Sequence, residues 1–469
     1  MQLSKELSVN ETGIPGLVVL DLPVHGDNRG WFKENWQREK MVALGLPDFK
    51  PVQNNISFNE SRGTTRGIHA EPWDKYISVA TGSVFGAWVD LRAGESFGNV
   101  FTTVLDPSKA IFVPRGVGNS YQSLEDQTAY TYLVTDHWSA DSQPLYTFLN
   151  LSDPSAAIEW PIPLNEAEIS EKDLQHPVLS EVRPMQPKPI LVLGSRGQLG
   201  KSMQKVAKEA GQEHWIFADR SQIDLTDPAF CSRIEFSKYS AVVNAAAYTR
   251  VDEAETSEGR AEAWQVNSAA VSALASGCAQ HGITLVHVST DYVFDGTQAI
   301  HDETEALSPL GVYGQSKAAG EVAAAANPQH YILRTSWVIG DGANFVSTMR
   351  TLSEKGVKPQ VVNDQFGRLT FSDDLARAIS HLLSQRAPFG TYNVSNSGEV
   401  TTWYEIAAQV YELLGGSAAD VSGVSTTDYF KGKLHAARPL NSTFDLAKIE
   451  ATGFQPRNQW DALKSYLAS

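Results

Sequence analysis

The stretch Ile190-Leu-Val-Leu193, followed at once by Gly194-Ser-Arg-Gly197-Gln-Leu-Gly200, constrains the fold of this chain more than any other. A short unbroken apolar run reads as a strand buried on both faces, the habit of parallel sheets. The glycines form a tight turn, and Lys201 to Ala210 is helix-prone. Strand, glycine turn and helix aim backbone N–H groups and a helix N-terminus at a pyrophosphate. Glycines also serve ordinary turns, so position matters. The next apolar run, Trp215-Ile-Phe-Ala218, ends at Asp219. That is about 20 residues past the turn, where an acid binds a ribose 2′-hydroxyl. Arg220 follows and would accept a 2′-phosphate instead, which leaves NADH and NADPH both open. Asp224 is placed either to reach an adenine amino group or to sit as an acid at a helix N-terminus.

Ala241-Val-Val-Asn244, Leu285-Val-His-Val288 and Tyr331-Ile-Leu-Arg334 follow in alternation with helix-prone stretches. Alternation of this kind predicts a doubly wound parallel sheet. Tyr313 and Lys317 lie four apart and share one helix face. An ammonium beside a phenol favours the phenolate, which would bring the tyrosine closer to neutral-pH proton exchange. Thr290, at the end of the Val288-Ser-Thr-Asp run, would hold a substrate oxygen against that tyrosine. These groups suit proton transfer at a carbinol oxygen while a hydride moves on its carbon.

Residues 1 to about 180 have another texture. Lys75-Tyr-Ile-Ser-Val79, Ser83 to Val89, Ala110-Ile-Phe-Val113 and Thr128 to Val134 are short strand-like runs punctuated by Gly, Pro, Asp and Asn. They predict an antiparallel sandwich or barrel. His69 in Thr65-Arg-Gly-Ile-His69 is a candidate base. Metal-binding barrels of this kind use several histidines, often as His-x-His. No such pair occurs here, so no metal site is expected.

The second half resembles dTDP-4-dehydrorhamnose reductase, of the extended short-chain dehydrogenase/reductases. The likeness rests on Asn244-Ala-Ala-Ala-Tyr-Thr-Arg-Val-Asp-Glu-Ala-Glu255, Val266-Asn267, Ser289 to Gly296 and Tyr313-Gly-Gln-Ser-Lys317. It continues through Leu333 to Val338, Asn363-Asp-Gln-Phe-Gly367 and Arg438-Pro-Leu-Asn-Ser442, in family order. The resemblance implies a catalytic triad of Thr290, Tyr313 and Lys317. It implies a cofactor, NADPH or NADH, held by Gly194, Gln198, Leu199, Gly200, Asp219, Arg220, Asp224, Leu225, Ala245, Ala246 and Ala247 together with Tyr313 and Lys317. Thr249, Val251, Tyr292, Trp337 and Arg438 would face the sugar nucleotide. Arg368 stands where the family has a smaller residue. A non-catalytic relative, a regulatory subunit of methionine adenosyltransferase, lacks the tyrosine and lysine that this chain keeps.

The first half resembles dTDP-4-dehydrorhamnose 3,5-epimerase, a cupin-type jelly roll. The likeness rests on Asp27 to Glu34, Arg66-Gly-Ile-His69, Lys75, Tyr132 to Asp136 and Asp153-Pro154. It implies substrate contacts from Arg29, Glu34, Arg66 and Lys75, and a homodimer through the jelly rolls. Carbons 3 and 5 of the 4-keto sugar flank the carbonyl and carry acidic protons. His69 would remove one if the buried carboxylate of Asp153 oriented it, and Tyr132 would return one from the opposite face. Three positions depart from the family: Asn119 replaces a histidine, Leu133 a lysine and Glu71 a glutamine.

A formal charge of −16 and a pI near 5.2 exclude general affinity for nucleic acid or anionic membrane. No membrane-length apolar run and no signal-like start occur, so a soluble, cytoplasmic protein is expected. Two cysteines outside any Cys-x-x-Cys fit a reducing compartment. Residues 1–180 are read as the jelly roll, 181–188 as a proline-rich spacer and 189–469 as the dinucleotide-binding reductase with a small substrate lobe. The expectation is a bifunctional enzyme of dTDP-L-rhamnose synthesis acting on a dTDP-sugar. Two alternatives stay open: a reductase whose jelly roll serves only dimerisation, and a reductase making another 6-deoxy sugar nucleotide.

Overall fold

Thr128–Val134 lies between Lys75–Thr81 and Gln53–Asn59, antiparallel to both, with Tyr132 opposite Ile77 on one side and Asn55 on the other. The computed structural model describes residues 6–433 and 435–468. In the first of two units, Met1–Pro187, these strands belong to a six-stranded sheet. Its order is Ser8–Glu11, Val18–Asp21, Lys109–Val113, Lys75–Thr81, Thr128–Val134, Gln53–Asn59. A second sheet runs Thr147–Phe148, Thr65–Ala70, Val117–Ser123, Val84–Asp90, Val100–Leu105. The inner faces bury Ile77, Val79, Trp88, Ile111, Tyr121 and Tyr130 in one core. The Tyr121 and Tyr130 rings stack with centroids 4.1 Å apart. Gln53–Asn59 alternates half-buried and exposed side chains, as an edge strand wetted on one face does. The expected sandwich is present, with each predicted strand within two residues of its place.

The stretch expected as a spacer is instead clamped to this unit. Met185 donates its N–H to Leu91 and accepts from Ala93 N–H, at 2.8 and 3.0 Å. Val182 and Met185 are buried beside Ile68, Val89 and Leu91. Proline removes donors but not carbonyls or apolar side chains, and here both find partners.

The second unit, Lys188–Ser469, holds an all-parallel sheet of six strands. The order is Trp215–Ala218, Ile190–Leu193, Ala241–Asn244, Thr284–Thr290, His330–Thr335, Gly390–Val394. Chain order reverses direction at Ile190–Leu193, so the crevice beyond its C-terminal end is the switch point where doubly wound sheets bind ligands. Helix Gln198–Glu209 starts there. Gly194 takes φ +83°, and a Cβ on it would meet Ala246 N at 2.8 Å. A Cβ on Gly200 would collide with the Gly194 carbonyl and lie 2.6 Å from Ser195 Cα. The helix therefore packs on the turn backbone to backbone, which only glycine permits.

Gly390–Val394 and the lobe beyond the sheet had no clear sequence signature. The lobe pairs two- and three-residue strands, such as Gln360–Val362 with Ser422–Val424. Helices Phe345–Glu354 and Trp403–Leu413 close over a core of Ile339, Val346, Met349, Ile406 and Val410.

Gly200→Ala is expected to destabilise the second unit by about 1–3 kcal/mol, the usual cost of overpacking a tight contact. Chemical denaturation of the full chain, followed by the tryptophans of this unit, measures it. An unchanged unfolding midpoint would contradict the contact.

Candidate functional site

Strand Thr284–Thr290 ends where helix Val312–Ala325 begins to cross it, and the groups that carry chemistry meet at that crossing. Tyr313 and Lys317 lie one turn apart on the buried face of the helix. Burial pushes the Tyr313 hydroxyl up to about 12, against a hydrogen bond with Thr290 that lowers it. Burial pulls Lys317 down to about 8, with Glu321 acting in the opposite sense. Lys317 Nζ donates to the Val288 carbonyl at 2.5 Å and lies 3.5 Å from His287 Nε2. Lys317 is not among the groups that set the Tyr313 hydroxyl, and desolvation, the largest influence on it, favours the protonated phenol. That form suits donation of a proton to a developing alkoxide.

The Thr290 hydroxyl donates to Asp291 Oδ1 at 2.8 Å and accepts from Tyr292 N–H at 3.3 Å, which leaves one lone pair for another hydroxyl. Burial pushes Asp291 up to about 6, against hydrogen bonds from Ser442 and Thr290. Asp291 ties the strand end to the Arg438–Ser442 segment, a role sequence reasoning missed although the residue lies beside Thr290.

A cleft of about 710 Å³ joins the glycine turn to this group, within the usual range for small-molecule sites. Gly194, Gln198, Leu199, Asp219, Arg220, Ala245, Ala246, Ala247, Thr249, Val251, Tyr292, Trp337 and the triad line it. A neighbouring cleft of about 460 Å³ takes in Asp224 and Leu225. Gly200 packs under the turn instead of lining either. The cradle fits a dinucleotide: Gly194 has no side chain to obstruct it, and the buried hydroxyls of Ser289 and Thr335 in the cleft wall have no protein partner. Asp219 is paired with Arg196 at 2.6 Å, a residue the sequence reading passed over inside its own glycine turn. Arg220 instead holds Asp224 at 3.1 Å. Asp224 also accepts from Thr226 N–H at 2.9 Å, so it braces its own turn while facing the cleft.

Beyond Tyr292 a third cleft, about 260 Å³, is walled by Trp337, Trp403, Tyr429, Phe430 and Arg438. Trp337 has φ +48° and stacks on Trp403 at 4.0 Å. Trp403 and Phe430 were not foreseen, because aromatic residues on lobe helices read as core. Arg438 is held by both Asp252 oxygens at 2.8 and 2.9 Å and lies over the Phe430 ring. Arg368 donates to the Gly398 and Phe444 carbonyls at 2.8 and 3.0 Å and ties loops together.

In the first unit His69 meets a different acid from the one expected. His69 Nε2 is 2.9 Å from Asp173 Oδ1. Asp173 Oδ2 accepts from Gly67 N–H at 3.3 Å. Burial raises the Asp173 carboxyl, but the hydrogen bond and charge of His69, with the Gly67 N–H, hold it below its ordinary value. Asp153 is the correction. Its oxygens accept backbone N–H groups of Ser155, Ala156 and Leu179 at 2.8, 2.8 and 2.6 Å, so it braces a turn and is spent. The available signal was Ser170-Glu-Lys-Asp173, where Ser170 caps a short helix and a buried acid follows.

Tyr132 lies in the facing sheet, its hydroxyl pushed up to about 12 by burial and then by Glu71. Lys75 lies 5.5 Å from the Tyr132 ring and is ion-paired with Glu71. Glu71, Tyr132, Trp73 and Tyr146 line a cleft of about 280 Å³. Tyr146 and Phe148 connect it to His69 through ring contacts of 5.8 and 5.6 Å. Asn119, opposite His69 in register, accepts from the Tyr130 hydroxyl at 3.0 Å. Arg66 donates to Asn59 at 3.3 Å. Arg29 and Glu34 lie outside this cleft on an exposed hairpin and the turn after it, paired with Asp27 and with Lys40.

Residues 188–469 match the family model described as RmlD substrate binding domain, and residues 11–181 that of dTDP-4-dehydrorhamnose 3,5-epimerase. A dTDP-4-dehydrorhamnose reductase of Aggregatibacter actinomycetemcomitans is 37% identical over 60% of this chain and 98% of its own length. The protein RmlC homolog of Streptococcus pyogenes serotype M6 is 57% identical over 37% of this chain and 90% of its own. The solved dTDP-4-dehydrorhamnose reductase of Bacillus anthracis, in complex with NADP, is 31% identical and covers 60% of this chain and 99% of its own, with a TM-score of 0.55. The chain belongs to the RmlD family through its second unit, and its first unit is a member of the dTDP-4-dehydrorhamnose 3,5-epimerase family fused ahead of it.

Proposed function

We propose that the chain carries out two consecutive reactions on one dTDP-sugar. The first unit epimerises dTDP-4-dehydro-6-deoxy-D-glucose at carbons 3 and 5, and the second reduces the carbon-4 ketone to give dTDP-L-rhamnose. One observation carries the reading: the chain that holds Tyr313 against Thr290 also holds His69 against a buried, ionised Asp173.

In the first unit His69 takes a proton from the carbon beside the carbonyl, and Asp173 steadies the imidazolium that forms. Tyr132, a phenol at neutral pH, returns a proton from the facing sheet. Arg66 and Lys75 offset developing negative charge, although Glu71 shares Lys75. That sharing, with Asn119 in place of a histidine, is the ground for the second reading, in which the first unit only holds substrate or another copy of the chain.

In the second unit the Gly194–Gly200 turn and Lys317 would hold the dinucleotide, which when bound would supply the hydride. Tyr313 gives its proton to the carbon-4 oxygen, and Thr290 holds that oxygen in place. Trp337, Trp403 and Arg438 support recognition of the nucleotide portion. Arg196 offsets the Asp219 charge, so a 2′-phosphate meets guanidinium groups before a bare carboxylate, which favours NADPH.

The full-length protein given the 4-keto substrate and NADPH is expected to make dTDP-L-rhamnose without an added epimerase. Product only when a separate epimerase is added would establish the second reading. Tyr313→Phe is expected to lower reduction by about 10²–10⁴-fold while sparing solvent deuterium exchange at carbons 3 and 5, and His69→Asn to do the reverse. Loss of both activities in either folded variant would refute two separate sites. Asp173→Asn is expected to cut exchange by a factor of order 10² or more. Asp153→Asn should leave exchange intact in the folded fraction and cost about 1–3 kcal/mol of stability through orphaned N–H groups; the opposite ranking would restore Asp153 as the orienting acid. Arg196→Ala is expected to lower kcat/KM for NADPH by roughly tenfold, about 1.4 kcal/mol, a modest loss because the group is exposed. An equal loss with NADH would show that Arg196 does not read the 2′-phosphate.

A further inference from the structure

His176 is the buried polar side chain for which the reaction has no use. It follows Asp173 by three residues, and its ring nitrogens make no hydrogen bond of normal geometry, although the Leu149 backbone lies near enough to act on the ring. The imidazole stacks on Phe148 at 4.7 Å and meets the His69 ring edge-on at 5.3 Å. Its Nε2 lies 3.8 Å from Asp173 Oδ1, the same oxygen that His69 Nε2 approaches at 2.9 Å. One ligand atom from each of the three residues lies within 4.8 Å of the others.

Those spacings are close to what a metal ion needs. Ligands about 2.0–2.2 Å from a tetrahedral zinc stand about 3.3–3.6 Å apart, and the separations of 2.9 and 3.8 Å from Asp173 Oδ1 bracket that range. Two imidazoles and one carboxylate select zinc, cobalt or nickel over magnesium or calcium. Gly67 N–H holds the second Asp173 oxygen and orients the carboxylate. The His69 side chain is 32% exposed, which leaves a fourth position open to water. The absence of His-x-His was the reason to expect no metal. The fold supplies the second imidazole instead from a segment more than a hundred residues away.

We propose that His69 Nε2, Asp173 Oδ1 and His176 Nε2 form a site for a zinc-class divalent cation, and that filling it switches off proton abstraction by the first unit. The two states exclude each other by proton position. As a base, His69 keeps its proton on Nε2, donated to Asp173, and its Nδ1 lone pair is free. A cation on Nε2 displaces that proton to Nδ1, and the free lone pair is lost. No proton is gained or lost by the protein, and no redox step is involved. The inhibitory part rests on the epimerase reading above; the metal site does not.

The test uses tag-free, metal-stripped, full-length protein. Cobalt(II) is expected to give the visible absorption of a tetrahedral site at one equivalent, bleached by one equivalent of zinc. Zinc should lower deuterium exchange at carbons 3 and 5 at least tenfold, with recovery on adding a chelator. Reduction of the already epimerised ketone should be unchanged. His176→Phe keeps a ring on Phe148 and should lose the cobalt band and the zinc response, whatever exchange rate it retains. No cobalt band at micromolar concentration, a band that survives in His176→Phe, or exchange that zinc leaves undiminished would each overturn the proposal. Exchange absent before any metal is added would count against the epimerase reading alone, and the cobalt titration would still decide the site.

Discussion

Lys317 is only 2% exposed, and a buried ammonium must find acceptors. It finds the Val288 carbonyl, two residues before the strand ends at Thr290. That single bond pins helix Val312–Ala325 to strand Thr284–Thr290 at the point where the cleft opens. Tyr313, one turn earlier, is thereby carried to Thr290. Glu321, one turn later, is ion-paired with Arg334 on the next strand at 2.8 Å, so the helix is held at both ends of its buried face. Removing the ammonium would leave a buried carbonyl without its donor and loosen both the proton donor and the wall of the dinucleotide cleft.

The two units handle charge by opposite means. In the second, desolvation dominates: Tyr313 stays a phenol, His287 is kept neutral, and Asp291 rises to about 6. A ketone reduction needs an acid, and burial preserves one. In the first, hydrogen bonds beat desolvation at Asp173, which stays ionised. Abstraction of a proton from carbon needs a base whose charged form is stabilised, and an ionised carboxylate against His69 does that. The same low-polarity interior gives both results because Asp173 has the hydrogen bond and charge of His69 and the charge of His176 beside it, whereas the side-chain hydrogen bonds to Asp291 and Tyr313 come from neutral hydroxyls.

Legibility from sequence followed locality. The glycine turn, the strand runs and the Tyr313–Lys317 spacing are short-range patterns, and each appears in the structure where it was expected. Partners joined across the fold were harder to read. Asp173 reaches His69 over 104 residues, whereas Asp153 had the more eye-catching Asp-Pro context but spends its oxygens on nearby N–H groups. Arg196 was visible yet read only as a turn residue. Trp403 lies on a helix whose pattern resembles core, and only the positive φ of Trp337 turns that ring onto it. The proline-rich stretch shows the limit of composition: prolines predict extended backbone, but Met185 and Val182 decide whether it is free or docked.

On the proposed function, fusion has a chemical logic that needs no contact between the sites. The carbon-4 carbonyl is what acidifies the protons at carbons 3 and 5. While it persists, epimerisation is reversible and the sugar remains an equilibrating mixture. Reduction removes the carbonyl, and with it the acidity, so the configuration set by the first unit is locked by the second. The net flux then depends on how often the correct epimer is captured before it reverts. A single chain fixes the ratio of the two sites at one to one in every molecule, which keeps a capturing site present for every supplying one. A cation that silenced His69 alone would break that match from the supply side, and Tyr313 and its cofactor cleft would remain competent for ketone delivered from elsewhere.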